Sequence, residues 1–233
     1  MAKQWKWFLF YILTIGAVLI AVQFGSRSIS VMAENRPAQR SHCVIIDPGH
    51  GGEDGGAVSV SGQPESLYNL AIGLQLRDLL QLLGFKTKMI RTEDVSVYTK
   101  GETLSQKKAS DLKERVRSAN ETDGAVLLSI HQNHFPDSRF SGAQVFYAET
   151  PGSKILAEQI QELLAASINP GNKRQIKPAD GVYLMTHIKC PGVLVECGFL
   201  SNPQEELMLR DPEYQKKLSA VISVAVSSYL SNT

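Results

Sequence analysis

Cysteine is scarce in this chain: Cys43, Cys190 and Cys197 are the three in 233 residues, and no C-x-x-C pair occurs. That excludes a disulfide framework and a thiolate-bound structural zinc, and leaves buried thiols as the reading. Cys43 and Cys197 fall in strand-like runs, where a small apolar side chain packs well. An excess of one charge is lacking too. Lysine and arginine number 24 against 23 acidic residues, a net charge of +1. Such a chain has no basic field for counterion release, and neither helix-turn-helix nor finger spacing is present, so nucleic acid is not an expected partner. Internal repeats and low-complexity tracts are also absent. With 43% apolar and 20% charged residues, the composition bounds one core of ordinary size.

One long hydrophobic run is present. Lys3 and Lys6 precede an uncharged stretch from Trp7 to Phe24, whose roughly 18 residues lie between a signal-peptide core and a membrane span. Residues 1–33 therefore read as a signal peptide or a membrane anchor, and the protein as extracytoplasmic, secreted or anchored. Val31-Met32-Ala33 fits a loose cleavage site, whereas Trp5 and Trp7 beside the lysines suit an interfacial anchor. Residues 34–42 are polar, contain Pro37 and read as a linker. Residues 43–231 then form one folded domain.

Within that domain short β-branched runs alternate with longer helical patterns, which predicts a single α/β domain with a mostly parallel six-stranded sheet and helices on both faces. Strands are expected at Cys43–Ile46, Lys86–Ile90, Ala125–Ile130, Gln144–Tyr147, Val182–Met185 and Val193–Val195. Helices are expected at about 67–83, ending at Gly84, near 111–120, at 153–168 and at the carboxyl terminus after Asp211-Pro212. Asn202-Pro203-Gln204-Glu205 reads as a cap, a first-turn proline and a capping-box glutamate.

The chemistry gathers at strand ends. The first strand runs into Asp47-Pro48-Gly49-His50-Gly51-Gly52, a glycine-rich loop that packs little and whose close backbone approach suits a metal or substrate. The strand from Ala125 ends in His131, and the one from Val193 in Glu196. Ligands collect outside the carboxyl ends of parallel strands, so these three share one rim. Glu65 joins them because it immediately precedes the helix leaving the first strand. Two histidines and a carboxylate are a common ligand set for catalytic zinc, and a further carboxylate is wanted to move protons. Glu196 suits that second role, since a glutamate directly after three buried aliphatics has its pKa raised by desolvation. Taken singly, a loop histidine is more often structural and an exposed glutamate a solvated charge; joint placement reverses that reading. His134 is the alternative to His131. His42 lies on the wrong rim, and His187 reads as a structural histidine bordering the site. Arg91 and Arg115 could contact substrate carboxylates, though structural arginines are commoner. A phosphate cradle fails, because Asp54 stands where G-x-G-x-x-G needs its third glycine and Glu53 and Asp54 repel phosphate.

Three motifs carry a family resemblance over about 43–230. Ile46-Asp47-Pro48-Gly49-His50-Gly51-Gly52, Ser129-Ile130-His131 and Val195-Glu196-Cys197-Gly198-Phe199-Leu200-Ser201-Asn202 resemble the opening, second-histidine and closing motifs of the zinc-dependent N-acetylmuramoyl-L-alanine amidases of the amidase 3 type. The resemblance implies one Zn2+ ion on His50, Glu65 and His131, and Glu196 as the catalytic glutamate. The implied reaction hydrolyses the amide between the lactyl group of N-acetylmuramic acid and L-alanine in peptidoglycan. Pro64, directly before Glu65, departs from the family pattern. A single such domain behind a hydrophobic segment, with the stretch Phe135–Phe146, looks like the spore-cortex, germination-specific branch. Targeting or activation is then left to the amino-terminal segment or a partner protein. Two other readings stay open: a zinc exopeptidase on free peptides, and a non-catalytic wall-binding relative.

Overall fold

The structure is a computed structural model that describes residues 42–233. The expected signal or anchor segment and all of the linker but His42 lie outside the described residues. Among the described residues no helix is long and apolar enough to cross a membrane.

Six strands form one sheet: β1 (Cys43–Pro48), β2 (Lys86–Met89), β3 (Ala125–Asn133), β4 (Gln144–Tyr147), β5 (Lys177–Pro178) and β6 (Gly192–Phe199), in spatial order β2-β1-β3-β6-β4-β5. The helices are α1 (Glu65–Leu82), α2 (Leu104–Asn120), α3 (Ser153–Ser167), α4 (Tyr183–His187), α5 (Pro203–Arg210) and α6 (Pro212–Ser231). The pairs β1–β2, β1–β3, β3–β6 and β4–β5 are parallel, but β4 runs against β6. The sheet is therefore mixed, which corrects part of the expectation. The antiparallel return is short because β4 follows β3 through a surface loop and not through a crossover helix.

Alternation along the central strands builds two cores. Val44, Ile46, Val126, Leu128, Val193 and Val195 face α1, α3 and α6. Ile45, Leu127 and Leu194 face the other way, against Ala119 and Val116 of α2 and Leu184 and Met185 of α4. The central strands β1, β3 and β6 are thus buried on both faces, as their near-continuous apolar runs require.

Several elements differ from expectation. Val182–Met185 is not a strand: Val182 is the extended residue before α4, whose Leu184 and Met185 pack into the second core. Four apolar residues carry too little periodicity to separate strand from helix. The fifth strand is instead Lys177–Pro178, a two-residue edge where a proline is tolerated. Helix α2 begins seven residues earlier than expected because Thr103 and Gln106 form a capping box, the Thr103 hydroxyl accepting from Gln106 N–H at 3.3 Å and the Gln106 amide oxygen from Thr103 N–H at 3.3 Å. The box expected at Asn202 is half formed. Asn202 caps Gln204 and Glu205, but the Glu205 carboxylate accepts from Gly142 and Phe199 N–H, each at 2.8 Å.

Candidate metal centre and catalytic cavity

His131 and Glu196 do not terminate their strands, as expected, but sit inside them and face each other across the β3–β6 register. His50 lies beyond β1 in a loop whose backbone it strains: its φ of 62° is the one positive value on a non-glycine among the described residues. Such a conformation costs on the order of 1–3 kcal/mol and has to be held by its surroundings. Two buried arginines hold it. Arg91 donates to the carbonyls of Pro48 at 2.9 Å, Gly49 at 3.0 Å, Ser66 at 2.8 Å and Glu93 at 2.9 Å. Arg115 donates to those of Pro48 at 3.1 Å and His50 at 2.8 Å, and is ion-paired with Asp47 and Asp111. Both arginines are structural, and neither is free to meet a substrate carboxylate.

The charges in this clamp keep one another ionised. Burial disfavours the Asp47 carboxylate, but Arg115 and the Ser129 hydroxyl outweigh it and hold Asp47 below its ordinary range. Burial likewise opposes the Arg115 cation, and Asp47 and Asp111 more than offset it. Arg91, whose ion-pair partner Asp94 is as far as 3.9 Å away, is drawn down by burial and by Arg115 to about 10, and stays cationic at neutral pH.

Glu65 opens α1, with Pro64 as the extended residue before it. The proline is thus compatible with the helix start, since proline has its fixed φ where no helical N–H is needed. The Glu65 side chain is fixed by Ala57 N–H at 3.1 Å, Gln132 N–H at 3.1 Å and the Asn69 amide at 3.1 Å. Its two oxygens meet His50 Nε2 at 3.2 Å and His131 Nδ1 at 2.9 Å. Burial works against that carboxylate, but the hydrogen bonds and charge of His131 and His50 dominate and hold it far below the usual range. One ligand atom from each of His50, Glu65 and His131 falls within 4.8 Å of the others. His134, His42 and His187 are outside this group; His187 instead stacks on Tyr183, ring centres 3.9 Å apart.

Two features escaped the sequence. Asp54 accepts from His50 Nδ1 at 3.1 Å, orienting the ring so that Nε2 faces Glu65; the signal available was a carboxylate four residues on in the same loop. Gly49 is the second. A Cβ there would lie 2.1 Å from His131 Nε2, so the loop can pass under the imidazole only as glycine. Gly49→Ala is therefore expected to displace His131 and abolish stoichiometric zinc in a domain that still folds, checked by metal analysis beside circular dichroism. Full zinc content would show that the loop can yield.

These groups open on a cavity of about 410 Å3 between α2 and α4, lined by His50, His131, Glu196, Asp54, Lys108 and Leu184 among others. Two imidazole nitrogens and a carboxylate oxygen fit a catalytic zinc, because three protein ligands leave a position open. Burial pushes Glu196 up to about 7, with smaller opposing effects of His131 and Glu65. The residue keeps some exposure, yet its Oε2 is buried with no hydrogen-bond partner, a polar atom awaiting something from the cavity.

Comparison with known proteins gives the same picture. A family model described as N-acetylmuramoyl-L-alanine amidase, Amidase_3, matches residues 44–228. The germination-specific N-acetylmuramoyl-L-alanine amidase of Bacillus subtilis (strain 168) is 37% identical over 188 residues, which is 80% of this chain and 78% of that protein. The CwlD amidase from Clostridioides difficile, solved in complex with the GerS lipoprotein, is 38% identical with a TM-score of 0.79 over 82% of this chain and 100% of that one. An N-acetylmuramoyl-L-alanine amidase from Clostridium difficile 630 is 30% identical with a TM-score of 0.74, over 83% and 99%. The chain belongs to the N-acetylmuramoyl-L-alanine amidase family, and is a zinc-dependent hydrolase of the amide between N-acetylmuramic acid and L-alanine in peptidoglycan.

Proposed function

We propose that His50, Glu65 and His131 hold the zinc and that Glu196 moves the protons of the hydrolysis. The observation that carries this is the solitary Oε2 of Glu196, a residue that lines one cavity with His50 and His131, both of which Glu65 meets. Zinc held there supplies Lewis acidity, which makes water a better nucleophile and the amide carbonyl a better electrophile near neutral pH. Glu196 takes a proton from the attacking water and returns it to the departing nitrogen of L-alanine, so that the C–N bond breaks to a carboxylate and an amine. A carboxyl near 7 is divided between its two forms at neutral pH, as a group that must both accept and donate requires. Arg91 and Arg115 hold the loop that presents His50, and Asp54 sets its ring.

We further assign residues 43–231 as the catalytic domain, behind a signal or anchor at 1–33 and a linker at 34–42. The similarity to a germination-specific amidase supports work on spore cortex. The complex of a related amidase with a lipoprotein supports a protein partner for this chain, and we assign activation to that partner.

Mass spectrometry of muropeptides after incubation with the zinc-loaded protein tests the reaction. The expected products are stem peptides with a free L-alanine amine and glycan freed of its stems. A new amine on any other residue would favour the exopeptidase reading.

A further inference from the structure

The loop between β3 and β4 carries aromatic side chains that the chemistry above does not use. Phe135 and Phe140 are 47% and 42% exposed and meet edge to face, their ring centres 4.7 Å apart. Phe140 also stacks on Phe199, at 6.3 Å and 29°. The Arg174 guanidinium lies 4.6 Å from the centre of the Phe199 ring and 5.8 Å from that of Phe140.

The loop is tied down on several sides. Gly142 N–H donates to Glu205 at 2.8 Å, Phe135 N–H to the Ser201 hydroxyl at 3.1 Å, the Asn202 amide to the Phe140 carbonyl at 3.2 Å, and Arg174 Nε to the Ser141 carbonyl at 2.8 Å. The rings are thus held in place before anything binds, which lowers the entropic cost of binding.

Their position follows from the sheet. Gln144 is the direct cross-strand neighbour of Glu196, and its amide oxygen accepts from Arg174 Nη1 at 3.1 Å. The register shift that pairs His131 with Glu196 but Asn133 with Phe199 inserts an extra residue in β6, and so returns Phe199 to the face that carries Glu196. Contacts therefore run from Glu196 through its neighbour Gln144 to Arg174, from Arg174 to Phe199 and Phe140, and from Phe140 to Phe135. With one of its residues bulged, β6 advances only about two strand rises between Glu196 and Phe199, roughly 7 Å at about 3.3 Å per residue, which is within reach of the sugar ring next to the one at Glu196.

We propose that Phe135 and Phe140 form a platform for a pyranose ring of the glycan strand, next along from the muramic acid whose amide lies at Glu196. This rests on the amidase reading given above. A pyranose presents an apolar face of C–H groups that stacks on an aromatic ring and leaves its hydroxyls in water. Two half-exposed rings fall far short of the roughly 800 Å2 per side of a stable protein interface, and a chain of contacts through Arg174 and Gln144 ties them to Glu196, so the occupant is the remainder of the substrate.

The test compares kcat/KM of the full chain on a stem-bearing single N-acetylmuramic acid and on a glycan of several disaccharides carrying the same stem. In Phe135→Ser and Phe140→Ala the ratio of glycan to single sugar is expected to fall roughly tenfold, the scale of one stacking contact. The fall should appear in KM, and Phe140→Tyr, which keeps the ring, should restore the ratio. Zinc content and melting temperature report that the fold is intact. Equal losses on both substrates would mean that the rings only shape the catalytic centre, and an unchanged ratio in both variants would mean that they serve a protein partner; either overturns the platform. If the unaltered protein cleaves neither substrate, the amidase reading itself fails.

Discussion

Glu196→Gln is expected to lower amide cleavage by between about a hundredfold and ten-thousandfold, the range for removing a general acid–base group, while zinc stays bound. The substitution keeps the shape and the hydrogen-bonding edge of the side chain but removes its capacity to carry a proton. Glu196 lies outside the group formed by His50, Glu65 and His131, so metal content should not move. Its buried Oε2 has no partner in the protein, so no structural hydrogen bond of that oxygen is lost. Initial rates on muropeptides, beside zinc stoichiometry, decide the matter. Near-normal turnover with zinc bound would remove Glu196 from the proton transfers.

Arg115→Met should have the largest effect on stability, about 3–5 kcal/mol, because it leaves the Asp47 carboxylate buried beside no cation. The same change frees the carbonyls of Pro48 and His50, so a strained loop loses one of its two clamps. Zinc affinity should then fall by roughly 10–100-fold, as when other supports of metal ligands are removed. Denaturant unfolding and a chelator competition read the two effects separately. Asp47→Asn combined with Arg115→Met should recover part of the stability, since no lone charge stays buried. The pH dependence has a definite sign. Asp47 is held below its ordinary range in the fold, so its contribution is full above the unfolded value near 4 and is lost as pH falls through the lower folded value. The gap between the unaltered protein and the single variant should therefore narrow in acid. A loss under about 1 kcal/mol at neutral pH would place the support of the His50 loop elsewhere, within the range of ordinary surface changes.

How far local signals can be read is shown by two similar motifs. Thr103-Leu104-Ser105-Gln106 forms a reciprocal capping box, whereas Asn202-Pro203-Gln204-Glu205 keeps only the cap, its glutamate being taken by Gly142 and Phe199. Both sequences permit the box. The second is overridden because Glu205 is buried and its carboxylate accepts instead from Gly142, more than sixty residues away in the chain, and from Phe199 at the end of β6, both backbone donors that need a partner. The apolar run Val182–Met185 was illegible for a related reason: which core it joins, and so which structure it adopts, depends on α2 and β3.

The grouping of His50, Glu65 and His131 was legible in the sequence. Singly, a loop histidine reads as structural and a helix-start glutamate as a solvated charge, but the order of strand and helix put them on one rim, with Glu196 directly after buried aliphatics beside them. Composition and periodicity fixed the α/β class for the same reason, since burial patterns are local. Tertiary structure alone decided the rest: the reversal of β4, the positive φ of His50, the passage of Gly49 beneath His131, and the arginines that hold that loop. Each depends on contacts between segments distant in the chain, where the identity of a residue says what it can bind but not which carbonyl, carboxylate or ring the fold brings to it.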